Sequence, residues 1–246
     1  MNVFIIGGTS GIGLALASYY YLQGNRVGVC GRDLQKLADE SRFEKYQADV
    51  TNIVQLQNVI QQFVGERILS LLINCAGSYA EDVADDISYE EAETMLQTNI
   101  MGAVNCLEVG RKAMCHTGGQ IVLLASISGI LDYPESSLYT KTKRSVIQIA
   151  DAYRRALRPY GIAITTIAPG YVDTQKLRDL NHNDLSKKPF LVTEAQAVRE
   201  ITQAITEKKA LLLFPKQMKW LMRFLSYMPS FLLSKIMYKK AHYMKK

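Results

Sequence analysis

Four apolar residues, Val3, Phe4, Ile5 and Ile6, run without a break into Gly7-Gly8-Thr9-Ser10-Gly11-Ile12-Gly13, and a helix-forming stretch follows. No other feature of the chain narrows its fold so far. A buried strand that turns sharply into a helix needs glycine where the backbone leaves the strand, which is the place of Gly7. Gly11 leaves the backbone bare, so that a pyrophosphate can approach, and Gly13 lets the helix close on the sheet. The first turn of that helix offers N–H groups without carbonyl partners, a ready site for phosphates. The spacing is G-x-x-x-G-x-G, which is neither G-x-x-x-x-G-K nor G-x-G-x-x-G.

The rest of the chain carries the alternation that such a unit implies. Strand-like runs at 3–6, 27–30, 43–48, 68–74, 120–125, 163–168 and 210–214 alternate with helical patterns at 11–23, 33–41, 52–64, 89–115, 137–157 and 194–206. Leu71-Leu72-Ile73 and Ile121-Val122-Leu123-Leu124 are apolar on both faces, as are strands of a parallel sheet covered on both sides. These patterns predict an α/β fold. One doubly wound, Rossmann-like domain spans 1–214, and a basic, apolar helical extension occupies 215–246. Residues 175–192 are polar and mixed, and read as a mobile flap over a site. With 48% apolar and 21% charged residues, the composition excludes wholesale disorder.

The net charge of +6 is uneven: residues 215–246 hold eight Lys or Arg and no Asp or Glu. Removing those eight charges leaves residues 1–214 at −2, so the body is no basic nucleic-acid-binding surface. Cys30, Cys75, Cys106 and Cys115 form no C-x-x-C pair and sit in or beside apolar segments, which points to free thiols in a reducing compartment. No signal-peptide pattern precedes the first strand, and no run reaches the ~20 apolar residues a membrane span needs. A cytoplasmic location is expected. His116, His182 and His242 lie far apart, and no metal site is expected.

The second strand ends Val29-Cys30-Gly31-Arg32-Asp33. A dinucleotide fold that binds unphosphorylated ribose has an acidic residue near Cys30; here that position is neutral and Arg32 follows. A guanidinium suits a 2′-phosphate, so NADP is the expected cofactor, with NADPH preferred over NADH. Asp33 reads as a helix cap. Further on, Tyr139 and Lys143 stand four apart at the start of a helix and share a face. A neighbouring ammonium favours phenolate and would lower the tyrosine pKa, giving a proton donor and acceptor near neutral pH. Ser126, at the end of a buried strand, can donate to an oxygen held by Tyr139.

In these residues the chain resembles the classical short-chain dehydrogenase/reductase family over roughly residues 1–214. The glycine motif matches Gly7, Gly11 and Gly13, with Thr9, Ser10 and Ile12 between them. Asp49 and Val50 match the acidic position beside the adenine. Asn74-Cys75-Ala76-Gly77 matches the N-N-A-G motif, with Cys75 in place of an asparagine, and Ile6 replaces the threonine that commonly opens the glycine motif. Asn99 matches the catalytic asparagine. Ser126, Tyr139 and Lys143 match the serine and the Y-x-x-x-K pair. Pro169, Gly170, Val172 and Thr174 match the P-G segment. The resemblance implies that Tyr139 moves the substrate proton and Ser126 polarises the substrate oxygen. Lys143 would lower the tyrosine pKa and hold the nicotinamide ribose, and Asn99 would hold a relay water. It also implies a homodimer or homotetramer through the helices at 89–115 and 137–157, where Ile147, Ala150 and Ala156 are candidate contacts unless they face the sheet.

Tyr79, Ile127, Ile130, Tyr133, Tyr171 and Leu177 are candidates for the substrate pocket, and their apolar or aromatic character suits an apolar or amphiphilic carbonyl compound. An NADP(H)-binding sensor or scaffold without significant turnover is the alternative; the intact Asn99, Ser126, Tyr139 and Lys143 weigh against it. In the tail, Met218, Trp220, Leu221, Met222, Phe224, Leu225, Tyr227 and Met228 precede Pro229, and Phe231, Leu232, Leu233, Ile236, Met237 and Tyr238 follow, so two helices are expected. They either pack on the body or a partner subunit, with lysines facing water, or contact a membrane surface.

Overall fold

The computed structural model describes residues 1–80, 87–134, 136–229 and 231–236. Along the chain come β1 (Asn2–Ile6), α1 (Gly11–Leu22), β2 (Arg26–Gly31), β3 (Glu44–Gln47), α2 (Ile53–Val64) and β4 (Leu71–Asn74). Next are α3 (Tyr89–Leu96), α4 (Gly102–Met114), β5 (Gly119–Leu124), α5 (Leu138–Leu157) and β6 (Ile162–Pro169). The last third holds β7 (Val172–Asp173), α6 (Gln175–Leu180), β8 (Val192–Thr193), α7 (Glu194–Thr206), β9 (Leu211–Phe214) and α8 (Lys216–Leu225).

The main sheet has the order β3-β2-β1-β4-β5-β6-β9, and all of its pairings are parallel. Parallel neighbours require crossover connections, which the helices provide. Successive side chains of a strand point to opposite faces. Phe4, Ile6, Leu72 and Ile121 therefore enter one core layer with residues of α2, α4 and α5. Val3, Ile5, Ile73 and Val122 enter the other with residues of α1 and α7. Each large apolar side chain removed fully from water contributes about 1.5–3 kcal/mol, which is why both layers can offset the entropy of ordering the chain. The strand order reverses between β1 and β4. In doubly wound sheets ligands bind outside the carboxyl ends of the strands at such a point.

Several local expectations need correction. The helix expected at 33–41 is only a 3₁₀ turn at Gln35–Leu37 with Leu34 at its N-cap; Asp33, expected as the cap, stands one residue earlier and accepts the Gln35 N–H at 2.9 Å. The stretch 89–115, read as one long helix or two abutting pieces, is the latter, α3 and α4 joined by a π-helical turn over Gln97–Met101. The segment 175–192 is not a bare flap. It opens with α6, and its ends are joined by parallel pairing of β7 and β8. The Arg178 guanidinium grips both oxygens of Asp173 at 2.7 Å, tying α6 to β7. Of the helix positions considered for subunit contact, Ala150 is fully buried in the core, Ile147 is half-buried against it, and Ala156 is exposed.

The tail turns into α8 directly after β9, and residues 231–236 are helical beyond Pro229. Met237, Tyr238, Lys239, Lys240, His242, Lys245 and Lys246 lie outside the described residues. Among the described residues no helix is long and apolar enough to cross a membrane.

Candidate active site

The first turn is built by close contacts that only glycine permits. Gly7 has φ +73°, and a Cβ there would lie 2.6 Å from the Ala76 nitrogen; a Cβ on Gly13 would lie 2.2 Å from the Gly7 carbonyl oxygen. The Gly7 and Gly8 N–H groups both donate to the Cys30 carbonyl, at 2.9 and 3.2 Å, which fixes the turn to the end of β2. Thr9 packs against Gly31. Ser10 occupies the N-cap of α1 without a side-chain cap bond, and the first turn holds no acidic residue, so its N–H groups are left for an anion. At Gly11, φ +50°, the nearest atom to a would-be Cβ is in the Thr174 side chain at 3.7 Å. The cradle is open where a pyrophosphate would enter.

Cations gather beside this cradle. Arg32 is exposed, with its backbone carbonyl accepting from Gln47 Nε2 at 3.1 Å. Lys176, on α6, donates from Nζ to the Gly77 carbonyl at 3.1 Å. Desolvation lowers the Lys176 pKa, and the charges of Arg32 and Lys36 lower it further. These three cations have no carboxylate partner among the described ion pairs. Uncapped N–H groups, an open glycine and unpaired cations suit a phosphorylated dinucleotide. Lys36 and Lys176 escaped the sequence reading, since neither belongs to a spaced motif.

The Asp49 carboxylate accepts the Thr51 N–H and hydroxyl, both at 2.9 Å. Val50 is buried against Gly102, and Asn105 Nδ2 donates to the carbonyls of Val50 and Thr51 at 3.0 Å. The Asn74 side chain accepts the Ala76 N–H at 3.0 Å and so shapes the turn to Gly77.

Ser137 caps α5 by accepting the Thr140 N–H, which places Tyr139 in the first turn and Lys143 one turn later. The Ser126 side chain lies beside the Tyr139 phenol and favours its ionised form. Ser126 Oγ in turn accepts the Ser128 N–H at 3.2 Å and the Ser128 hydroxyl at 3.0 Å. With both acceptor sites used, the Ser126 proton is directed at the Tyr139 oxygen or at a substrate oxygen beside it. Ser128 is a positioning residue that the motifs did not reveal. Tyr79 meets Tyr139 edge-on, with ring centroids 5.0 Å apart.

Asn99 lies in the π turn and is 2% exposed. Its Oδ1 accepts the Ser78 N–H at 2.9 Å; its Nδ2 donates to the Ser78 carbonyl at 2.9 Å and to Thr142 Oγ1 at 3.0 Å. The Thr142 hydroxyl donates to the Tyr139 carbonyl at 2.8 Å. Asn99 therefore links the loop after β4 to the helix that carries Tyr139. Only one lone pair of its side chain is left for the relay water that the resemblance implied.

The lowering of the Tyr139 pKa expected from Lys143 does not appear in the structure. Burial pushes the Tyr139 pKa up from 10.0 to about 12, with the Ser126 side chain opposing it. Lys143 is itself pushed down from 10.5 to about 8, first by burial and then by Lys176. Its ammonium donates to the Leu124 carbonyl at 3.2 Å and stands 5.8 Å from the Tyr139 ring centroid. Burial, with Tyr79 and Tyr171 beside the ring, sets the direction of the Tyr139 shift.

These groups open into one cavity of about 600 Å³. Tyr139, Lys143, Ser126, Ile12, Gly77, Pro169, Gly170, Val172 and Thr174 line it, as do Tyr79, Ile127, Tyr133, Tyr171 and Leu177. Ile130 does not. Its carbonyl accepts from Arg144 at 3.3 Å, which holds the end of the turn against α5, and Leu131 enters the wall instead. The sequence reading also missed one whole wall: Met218, Leu221, Met222 and Leu225 of α8 face the cavity. Their i, i+3, i+4, i+7 spacing was the available signal. Gly170 contacts Pro215 and Met218, so the tail begins inside the site. Among the described residues no group of three His, Cys, Asp or Glu is placed to hold a metal.

A profile of the family described as short chain dehydrogenase matches residues 1–185. An uncharacterized oxidoreductase of Staphylococcus aureus (strain USA300) is 29% identical over 216 residues, 83% of this chain and 90% of that protein. Another, of Staphylococcus haemolyticus, is 33% identical over 178 residues, 69% of this chain and 77% of that protein. The solved structure of ElxO with NADP bound has a TM-score of 0.77 at 27% identity, covering 86% of this chain and 96% of that one. A short chain dehydrogenase from Burkholderia cenocepacia in complex with NADP shares the fold, with a TM-score of 0.81 at 20% identity over 95% of this chain and 96% of that one.

Proposed function

Because the chain belongs to the short-chain dehydrogenases, we propose that it is an NADP(H)-dependent oxidoreductase that reduces a carbonyl, or oxidises the matching alcohol, of an apolar or amphiphilic substrate. One observation carries this reading: Tyr139, Ser126 and Lys143 line one cavity together with apolar and aromatic side chains. NADP in the related ElxO, and the cations Arg32, Lys36 and Lys176 beside the glycine turn, support NADPH as the cofactor.

When bound, NADPH supplies the hydride. The chain's own residues position the carbonyl and supply the proton. Ser126, its lone pairs occupied by Ser128, donates to the substrate oxygen. Tyr139, pushed up to about 12, keeps its proton throughout the neutral range and is poised as the acid for the reductive direction. Lys143, as the resemblance implies, would hold the nicotinamide ribose, and its charge favours the phenolate left after proton transfer. Asn99 and Thr142 are positioning residues. The protein acts as a homodimer or homotetramer through the outer faces of α4 and α5.

The test is NADPH oxidation followed at 340 nm against carbonyl compounds of graded chain length. The reading expects turnover that rises with apolar length, and NADPH used in preference to NADH. Tight NADPH binding with no turnover on any aldehyde or ketone would leave the sensor alternative.

A further inference from the structure

We propose that the outer face of α8 docks this protein on an anionic phospholipid bilayer, so that the helix serves as membrane contact on one side and cavity wall on the other. Met218, Leu221, Met222 and Leu225 turn toward the cavity. At about 100° per residue, Lys216, Lys219, Trp220, Arg223 and Phe224 fall on the opposite side. All five are exposed, Trp220 by 66% and Phe224 by 68%. Tyr227 (77%) and Phe231 (70%) continue the aromatic surface, and Lys235 adds a further exposed cation. Leu233 is 3% exposed, so the helical segment beyond Pro229 is itself anchored to the body.

The charge pattern selects the occupant. No acidic residue occurs between 215 and 246. Among the described residues none of Lys216, Lys219, Arg223 and Lys235 enters an ion pair. A second copy docked symmetrically through this face would set cations against cations. An anionic headgroup layer instead neutralises the cations while Trp, Phe and Tyr rings enter the interface, where such rings are favoured. The surface reading stands on α8 alone. Its consequence, that an amphiphilic carbonyl compound reaches the cavity from the bilayer, rests on the function proposed above.

Trp220 is the chain's one tryptophan, so its emission reports on this face. The full-length protein, with NADPH binding and circular dichroism measured alongside, is mixed with vesicles of phosphatidylcholine or of phosphatidylcholine with phosphatidylglycerol. The proposal expects a blue shift of Trp220 emission and quenching by brominated lipid with the anionic vesicles only, both reduced by salt. The pair Lys219→Glu and Arg223→Glu should weaken vesicle binding by more than about tenfold, since each basic residue near an anionic surface contributes about fivefold. NADPH binding should be unchanged. Emission unmoved by anionic vesicles at low salt, in protein that still binds NADPH, overturns the proposal. So does emission already blue-shifted without lipid in an oligomer that Phe224→Ser dissociates, which would place a second copy on the face. Vesicle binding by a protein that ignores NADPH would leave the docking in place and remove the proposed function.

Discussion

Replacing Lys143 by methionine should make the protein more stable while abolishing turnover. The lysine is 5% exposed, and burial, aided by Lys176, takes its pKa from 10.5 to about 8. At about 1.4 kcal/mol per unit, a charged Lys143 opposes folding by about 3 kcal/mol. The sign follows from proton binding. The unfolded chain holds this proton more tightly than the folded one, so the cost is full below pH 8, shrinks as the pH rises, and is gone above 10.5. Methionine keeps the length and removes the charge, but it deprives the Leu124 carbonyl of its donor, which returns about 1 kcal/mol. The variant should therefore be about 1–2 kcal/mol more stable at pH 7, a rise in Tm of about 2–8 °C. Urea unfolding followed by circular dichroism at pH 7 and pH 9.5 measures the difference. A methionine variant less stable than wild type at pH 7, or a gap that does not narrow at pH 9.5, would refute the reasoning.

The cofactor reading predicts that Arg32→Ala weakens NADPH binding by about tenfold or more and leaves NADH binding nearly unchanged, as loss of one charge-assisted phosphate contact requires; equal dissociation constants in the wild type would count against it. Light scattering at micromolar concentration should give the mass of a dimer or tetramer, and a monomer would remove the assembly proposed for α4 and α5.

The parts of this molecule that were legible in its sequence are those fixed by short-range geometry. Gly7 and Gly13 admit no side chain, because a Cβ at either would meet backbone within 3 Å, and such positions announce themselves by residue type. Leu71–Asn74 and Gly119–Leu124 are central strands covered on both faces, so they read as apolar runs. What stayed hidden depends on contacts between distant segments. The π turn at Gln97–Met101 has no composition of its own; it shows when Asn99 reaches Ser78 and Thr142. The choice between Ile130 and Leu131 for the cavity wall rests on which way one turn is pinned by Arg144. Helical spacing placed Lys143 on the face of Tyr139, but the depth at which both are buried decides their pKa values, and depth is a property of the whole fold.

The account stands or falls on Tyr139 as the group that moves the substrate proton. Tyr139→Phe keeps the ring against Tyr79 and removes only the hydroxyl beside Ser126. NADPH oxidation should be measured for wild type and variant with the best carbonyl substrate from the panel, together with NADPH affinity by fluorescence. Loss of the proton donor predicts kcat lower by about 10²–10⁴-fold with NADPH affinity unchanged. Turnover near that of the wild type, or a loss that merely follows weakened NADPH binding, would contradict it.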